Sequence, residues 1–259
     1  MLDPLFGGVG VGLIGGMTSG LLGVSPGGGL VVFSVLLLGV DQHIAQGISL
    51  IAQIPPTSLS GVRRYRENGL RTSLAWLVPL GIGFAIGGVG GALAAGKASD
   101  AALQWSYVAY LSALVAVMIF QPRHQARSEG SVDRCGRTRW PGMLIVGAIG
   151  GFSSGFLGIG GGLAITVGLT AALGVPRHRA QLVSLILALV PTTVPAAWVY
   201  WQQGWSASWF AVGGVILGLW VGTDLGARLA NEMREVTLHR TAAGFIASMA
   251  LYMAYKALA

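Results

Sequence analysis

The chain has 259 residues, of which 53% are hydrophobic and 10% are charged, with 42 glycines and a formal net charge of +7. Soluble globular chains carry about 25% charged residues, so this composition excludes a soluble enzyme and a disordered tail. The single cysteine, Cys135, excludes a secreted module built on disulfides. The class that remains is an integral membrane protein.

Ten continuously apolar segments follow one another, and most approach the roughly 20 residues that a membrane-spanning helix needs. Continuous rather than alternating hydrophobicity predicts α-helices and argues against an outer-membrane barrel. The segments cover residues 5–24, 30–38, 44–62, 73–95, 101–120, 143–159, 163–173, 182–201, 209–230 and 241–257. Segments 30–38 and 163–173 are too short to span, so we expect short, tilted or broken helices there. The start of the chain lacks a basic n-region, and we expect the first segment to be retained rather than cleaved.

One long polar run divides the chain into an N-terminal membrane repeat (1–121), a basic linker (122–140) and a C-terminal membrane repeat (141–259). The linker carries five arginines against one glutamate and one aspartate. A cytoplasmic loop explains this charge better than nucleic-acid binding, because the cytoplasmic loops of membrane proteins are rich in Lys and Arg.

The two halves are related by an internal repeat, because a shift of 135 positions places many residues of one half on identical residues of the other. The polar matches carry the argument, since apolar residues match easily by chance. They pair Ser19 with Ser154, His43 with His178, Gln46 with Gln181, Ser49 with Ser184 and Tyr65 with Tyr200. Two Gly-rich runs also correspond, GVSPGGGL at 23–30 and GIGGGL at 158–163, and we expect the first to be two residues longer.

Five segments in each half predict two repeats of opposite orientation, and the basic residues support this prediction. With the linker placed inside, 14 of the 16 Lys and Arg residues fall on the cytoplasmic side, and Lys97 and Lys256 fall outside. The predicted fold class is therefore an all-α integral membrane protein. It has two inverted-topology repeats of about five hydrophobic segments each, with short or broken helices after the Gly-rich turns.

Two copies of a Gly-rich motif, each followed by a short helix and an A-Q-x-x-S segment (45–49 and 180–184), resemble the TauE/SafE family of sulfite exporters. The resemblance covers nearly the whole chain. It implies a secondary transporter of the bacterial inner membrane, exporting small sulfur-containing anions such as sulfite, thiosulfate or sulfoacetate. An anion channel and a transporter of a non-sulfur organic anion are the rival interpretations.

Inverted repeats with broken helices place a substrate site near the bilayer midplane, where helix N-termini point free N–H groups at an anion. We therefore expect the two Gly-rich runs to bind an anion, with Ser25 capping the first short helix and Pro26 in its first turn. Tight helix packing is the competing explanation, and it is preferred for glycines spaced by four residues. The anion-binding candidates are Gly27, Gly28, Gly29, Gly160, Gly161 and Gly162, and the packing candidates are Gly87, Gly91, Gly222 and Gly226.

Neutral polar side chains on the following helices are further candidates for the substrate site. Gln46, Ser49 and Gln53 share one helical face, and Gln181 and Ser184 repeat the pattern in the second half. Such donors can hydrogen-bond the oxygens of sulfite or a sulfonate, and interhelical hydrogen bonding explains them equally well.

Three titratable residues are candidates for proton or sodium coupling. His43 and His178 could relay protons, although capping of a helix at the membrane interface is the favoured interpretation. For Asp224, inside a hydrophobic segment, an ion pair with Arg228 one turn later is favoured over proton coupling. The prolines expected to kink or break helices are Pro55, Pro56, Pro191 and Pro195. No cofactor motif, metal-ligand spacing, P-loop or catalytic cluster is evident, so we expect neither an enzyme nor an ATP-driven pump.

Overall fold

The computed structural model describes residues 3–22, 25–55, 72, 74–120, 140–204, 208–232 and 235–258, and within these ranges the regular structure is entirely helical. In the first half the helices are α1 (Pro4–Leu22), α2 (Gly27–Phe33), α3 (Gln42–Ala52), α4 (Leu74–Ala95) and α5 (Asp100–Phe120), and a π-helical segment, Ser34–Leu38, continues α2. In the second half they are α6 (Trp140–Leu157), α7 (Gly162–Ala171), α8 (Arg177–Leu189), α9 (Val194–Gln202), α10 (Trp209–Glu232) and α11 (Glu235–Leu258). The basic linker, up to the start of α6, lies outside the described residues.

Four of the described helices are long and apolar enough to cross a membrane. They are the stretches Pro4–Leu21, Ala75–Ala95, Trp140–Leu157 and Trp209–Gly226. Their outer faces expose large apolar side chains, including Ile86, Ile149 and Leu217, as a lipid-facing surface requires. The predicted class, an all-α membrane protein, is confirmed.

A fifth candidate span is formed by α8 and α9, which are bent by 48° at a short break. The break contains Pro191, and Pro195 lies in the first turn of α9, so the prediction that these prolines interrupt the segment is confirmed. In the first half, α3 ends at Ala52, shortly before Pro55. Pro56 and the rest of the segment 44–62 lie outside the described residues.

The two segments that were expected to be too short are short helices. The apolar stretch Gly27–Leu38 and the helix α7 have lengths of only about 15–18 Å at 1.5 Å per residue, roughly half of the hydrocarbon core. Each begins directly after a Gly-rich turn, as predicted. Neither is long enough to cross the bilayer alone. Each begins at a buried or half-buried glycine, Gly27 or Gly162, and ends beside an exposed residue, Gly39 or Ala172.

The most extensive helix contacts join the two halves, because α1 packs along α10 and α6 packs along α4. The shift of 135 positions relates α1 to α6 and α4 to α10, so these two contacts are copies of each other. Contacts of α2 with α1 and of α7 with α6 repeat in the same way. The inverted orientation of the repeats and their boundaries at residues 121 and 141 stay predictions.

Glycines spaced by four residues allow these helix pairs to touch. A Cβ atom added at any of them would overlap the main chain of the partner helix. The overlaps pair Gly87 with Ala148, Gly91 with Phe152, Gly222 with Leu13 and Gly226 with Met17. The second two pairs repeat the first two at the shift of 135. The packing interpretation of these four glycines is confirmed.

Candidate functional site

The two Gly-rich turns, one from each half, face each other in the interior. A Cβ atom on Gly27 would lie 2.5 Å from the main chain of Ile159 and 2.7 Å from the carbonyl oxygen of Gly158. All three residues are buried. The chain connections at the starts of α2 and α7 therefore meet main chain to main chain, with no side chain between them at this point.

Matching contacts between a serine hydroxyl and a main-chain carbonyl place α2 and α7 in equivalent positions. The hydroxyl of Ser49 lies 3.4 Å from the carbonyl oxygen of Gly27. In the other half, Ser184 donates to the carbonyl oxygen of Gly162 over 3.0 Å. Both residues of the second pair are shifted by 135 from the first. Each serine of the A-Q-x-x-S segments therefore holds the first residue of the short helix in its own half.

This equivalence corrects the expectation that the first turn is two residues longer. α2 begins at Gly27 and α7 at Gly162, so the shift of 135 persists through the turns without an insertion. Ser25 and Pro26 occupy the places of Gly160 and Gly161. The runs of three glycines therefore lie at different positions of the two turns, and the helix starts mark the equivalent positions.

A chain of hydrogen bonds through the side chains of Ser25, Gln53 and Ser49, here called the polar chain, links α3 to both turns. The Ser25 hydroxyl donates to Oε1 of Gln53 over 2.7 Å. Nε2 of Gln53 donates to the main-chain oxygen of Ser49 (2.9 Å) and lies 3.0 Å from its hydroxyl. The Ser49 hydroxyl donates to the carbonyl oxygen of Gly158 over 2.7 Å. The polar face predicted for α3 is therefore directed at the turn of the other half.

The prediction that Ser25 caps α2 is wrong. The residue before the helix is Pro26, and no side chain makes a capping hydrogen bond there. Because the Ser25 hydroxyl is used by Gln53, it serves the tertiary contact rather than the helix end.

Gly160 and Gly161 adopt positive φ angles of +80° and +60°, which L-residues with a Cβ rarely tolerate. A Cβ on Gly160 would overlap polar atoms of Gln53 and Ser25, and one on Gly161 would overlap the ring of Phe84. Gly160 therefore brings the main chain of the second turn directly against the polar chain of the first half.

The other glycines of the predicted set differ in the space around them. A Cβ on Gly29 would lie 2.7 Å from the Thr18 hydroxyl, so this glycine packs against α1. A Cβ on Gly28 would have ordinary contacts, 3.5 Å from Ile159 and 3.9 Å from the Tyr107 hydroxyl. A Cβ on Gly162 would lie 3.2 Å from the Ser184 hydroxyl.

Two buried tyrosines that sequence analysis did not place in the site bind main-chain carbonyls of the turn regions. Tyr107 on α5 donates to the carbonyl oxygen of Gly28 over 2.7 Å. Tyr200 on α9 lies 2.6 Å from Oε1 of Gln46 and 2.9 Å from the carbonyl oxygen of Gly155. Tyr200 could have been found from sequence, because the matching position of the first half is also a tyrosine, Tyr65. Tyr107 gives no such signal, because its matching position, 242, is alanine.

The model of one protein family, described as sulfite exporter TauE/SafE, matches residues 8–253. The chain belongs to the TauE/SafE family. The matched region contains both Gly-rich turns, α3 and α8. No curated protein and no solved structure matches the chain. A TauE/SafE chain with several apolar helices is a multi-pass membrane protein of a family that exports sulfur anions.

The buried polar side chains of this TauE/SafE protein are uncharged within the described residues. Apart from the hydroxyls of Tyr107 and Tyr200, the buried polar side chains of the described residues belong to serine, threonine or glutamine. Within the same residues, no group of three His, Cys, Asp or Glu side chains is placed to hold a metal. Gln181 is half-buried and makes contacts of its own, and position 188, the match of Gln53, is alanine. The polar chain of the first half therefore has no full copy in the second.

His43 lies at the start of α3, away from the turns, because ten residues of helix separate it from Gln53, or about 15 Å. Its Nδ1 lies 2.6 Å from Oδ1 of Asp100, and its Nε2 lies 3.1 Å from the carbonyl oxygen of Ala95, the last residue of α4. The favoured interpretation, a histidine that caps a helix end, is confirmed. The side chain of His178 lies outside what the structure describes.

Asp224 and Arg228 form the ion pair favoured by the sequence, with 2.8 Å between Oδ2 and Nη2. Both side chains are more than half exposed, at 60% and 73%. Asp224 therefore lies on the outer surface of α10 and is not brought to the turns.

Proposed function

We propose that the protein is a secondary transporter that exports small sulfur-containing anions, such as sulfite, thiosulfate or sulfoacetate, by alternating access. The observation that carries this proposal is the contact of the two Gly-rich turns, where Gly27 of one repeat meets Gly158 of the other. Family membership supports transport of a sulfur anion, and the meeting of two broken segments supports a central site between repeats.

The chemistry of the turns suits an anion that has to be released again. The first N–H groups of a helix lack partners inside the helix and carry partial positive charge. Serine and glutamine side chains add uncharged donors, whereas a buried lysine or arginine would hold the anion with a full charge. The proposed substrate-binding residues are Ser25, Gly27, Gly28, Gly29, Gln46, Ser49, Gln53, Gly160, Gly161, Gly162, Gln181 and Ser184.

Alternating access follows if one repeat rocks against the other around these turns. The turns touch through glycines, and the hydrogen bond from Ser49 to Gly158 would break on separation. An anion arriving between the turns replaces this internal acceptor with its own oxygens. Binding and opening are thereby coupled.

Coupling to protons or sodium is part of the proposal. Both ring nitrogens of His43 face acceptors, Asp100 and the Ala95 carbonyl, and only the imidazolium can donate from both. His43 and its repeat partner His178 are therefore the proton-carrying candidates. Asp224, held by Arg228, is the remaining one. The proposed location is the bacterial inner membrane, with the linker 122–140 in the cytoplasm.

Flux into proteoliposomes tests the proposal. Purified protein is reconstituted, and the entry of sulfite, thiosulfate and sulfoacetate is compared with that of sulfate, chloride and acetate. A Gly28→Leu variant is the site variant, because a leucine has to displace Ile159 or Tyr107. Gly90→Leu is the matched control, because a Cβ at Gly90 has no neighbour within 4 Å.

The expected result is saturable flux of at least one sulfur anion, lost in Gly28→Leu and kept in Gly90→Leu. Flux restricted to acetate would identify a transporter of non-sulfur anions. A steady conductance in planar bilayers, proportional to anion concentration and without saturation, would identify a channel. Normal flux in an inserted Gly28→Leu protein would reject the turn as the site.

A further inference from the structure

Three buried polar residues on three helices, Gln46, Ser154 and Tyr200, lie near the end of α6. The hydroxyl of Tyr200 contacts both Oε1 of Gln46 (2.6 Å) and the carbonyl oxygen of Gly155 (2.9 Å). Ser154 is the residue next to Gly155, and its own carbonyl oxygen accepts from the N–H of Gly158 over 2.7 Å. Gln46 and Tyr200 have no exposed surface, and Ser154 is 1% exposed.

Two hydrogen-bonding groups of this cluster have no partner within the described part of the chain. They are Nε2 of Gln46 and the hydroxyl of Ser154. A buried donor without an acceptor costs about 1–3 kcal/mol, and most buried polar atoms in proteins have a partner. On the same helix Ser49 and Gln53 are bonded, whereas both amide atoms of the buried Gln42 also lack a partner among the described residues. Gln42 is the first residue of α3, one turn before Gln46 and farther from the second turn.

We propose that Gln46, Ser154 and Tyr200 form a subsite for the oxygen atoms of a sulfite or sulfonate group. Gln46 donates from its amide nitrogen and Ser154 from its hydroxyl. Tyr200 is a positioning residue, because its hydroxyl engages the amide oxygen of Gln46 and thereby directs the two N–H bonds of Nε2 away from the tyrosine. This inference rests on the proposed function and adds Ser154 and Tyr200 to its site.

The subsite lies against the second turn. A Cβ on Gly158 would lie 2.9 Å from both Cα and Cβ of Gln46, so the glutamine backbone and the turn are in direct contact. An anion held at the start of α7 therefore has these two donors within the same turn region. Uncharged donors at fixed positions favour a group with several acceptor oxygens over a spherical halide.

The experiment measures the concentration dependence of sulfite and chloride flux in proteoliposomes. The site variants are Ser154→Ala, Tyr200→Phe and Gln46→Glu. The matched controls are Ser153→Ala, a half-buried serine whose hydroxyl binds Ile149 of its own helix, Tyr255→Phe, which is 72% exposed, and Gln202→Glu, an exposed glutamine. Gel filtration in detergent shows whether each variant folds.

Ser154→Ala and Tyr200→Phe are expected to raise the KM for sulfite about 10- to 100-fold, which corresponds to one lost hydrogen bond to an anion. The maximal rate and any chloride flux stay within about threefold of wild type. Gln46→Glu is expected to abolish sulfite flux, because a carboxylate repels the anion. Ser154→Thr keeps the hydroxyl and is expected to restore the KM.

An unchanged KM for sulfite in folded Ser154→Ala and Tyr200→Phe proteins would overturn the subsite while leaving the proposed function intact. Equal losses for every substrate would assign the cluster a structural role and also overturn it. Full activity of Gln46→Glu would show that transport does not need the amide N–H group of Gln46, and it would overturn the subsite as well. Absence of flux for every sulfur anion in the wild type would reject the proposed function itself.

Discussion

The hydroxyl of Ser49 donates a hydrogen bond to the main-chain carbonyl of Gly158, with 2.7 Å between the two oxygen atoms. Ser49 belongs to α3 of the first half, and Gly158 belongs to the Gly-rich turn of the second, 109 residues later. The same hydroxyl lies 3.0 Å from Nε2 of Gln53. One buried serine therefore joins the polar face of α3 to the opposite turn.

Replacement of Ser49 by alanine is expected to lower the free energy of unfolding by about 1–3 kcal/mol, because the buried carbonyl of Gly158 loses this donor. Ser184→Ala is expected to cost less, since Ser184 binds Gly162 within its own half. Reversible unfolding in mixed micelles measures both. Ser106→Ala is the control, because the exposed Ser106 hydroxyl binds only Ala102 of its own helix. Equal stability of the Ser49 and Ser106 variants would contradict the prediction.

Gly160→Ala is expected to reduce both stability and transport, because Gly160 has a φ of +80° and a Cβ there would overlap Gln53 and Ser25. A Gly174→Ala variant separates the effect of backbone strain from the effect of overlap with neighbouring side chains. Gly174 has a similar φ of +65° but no neighbour within 4 Å. Each variant carries backbone strain of about 1–2 kcal/mol, and the larger loss in Gly160→Ala measures the contact. If thermal midpoints and flux fall equally in both, the contact with the polar chain is unimportant.

Gly87→Ala is expected to lower the yield of folded protein, because its Cβ overlaps the main chain of Ala148 on α6. Overpacking of this kind costs about 1–3 kcal/mol, and a main-chain neighbour cannot move aside as a side chain can. Gly90→Ala on the same helix meets open space and is the control. Gly222→Ala, the repeat copy, should behave like Gly87→Ala in detergent gel filtration. A monodisperse Gly87 variant with wild-type yield would be evidence against the packing role.

His43→Gln is expected to lower stability only modestly, by about 1 kcal/mol or less, because the Asp100 side chain of the pair is 50% exposed. The more informative measurement is whether His43→Gln uncouples transport from proton movement. If His43 carries protons, a pH-sensitive dye inside proteoliposomes should report proton movement with the wild type and none with His43→Gln. Asp41→Asn, an exposed acidic residue at the start of the same helix, is the control. Unchanged proton movement in His43→Gln would remove the residue from coupling.

The helices and their packing glycines could be predicted from sequence because both signals are local. Hydropathy alone located the segments, and a spacing of four residues placed Gly87 and Gly91 on one helix face suited to packing. The structure shows that this face packs against α6. The polar face of α3 was predictable for the same reason, since helix geometry fixes which side chains share a face.

The partners of the polar groups could not be predicted, because they depend on how distant turns dock. Tyr200 and Gln46 are 154 positions apart, and Tyr107 and Gly28 are 79 apart. Sequence favoured capping for Ser25 because serine often precedes a helix. The tertiary contact with Gln53, 28 positions away, takes that hydroxyl instead.

Ser25 and Gln53 are expected to be coupled energetically, which a double-mutant cycle tests. Ser25→Ala and Gln53→Ala each remove one side of a 2.7 Å hydrogen bond, so the double variant should lose less than the sum of the single losses, by about 0.5–3 kcal/mol. Residues without shared partners add within about 0.5 kcal/mol, so a cycle of Ser25→Ala with Ser106→Ala should show no such difference. Unfolding in mixed micelles measures all six proteins. Additive losses for Ser25 and Gln53 would mean that the chain from the first turn to α3 does not act as a unit, and that the turns are held by their glycines alone.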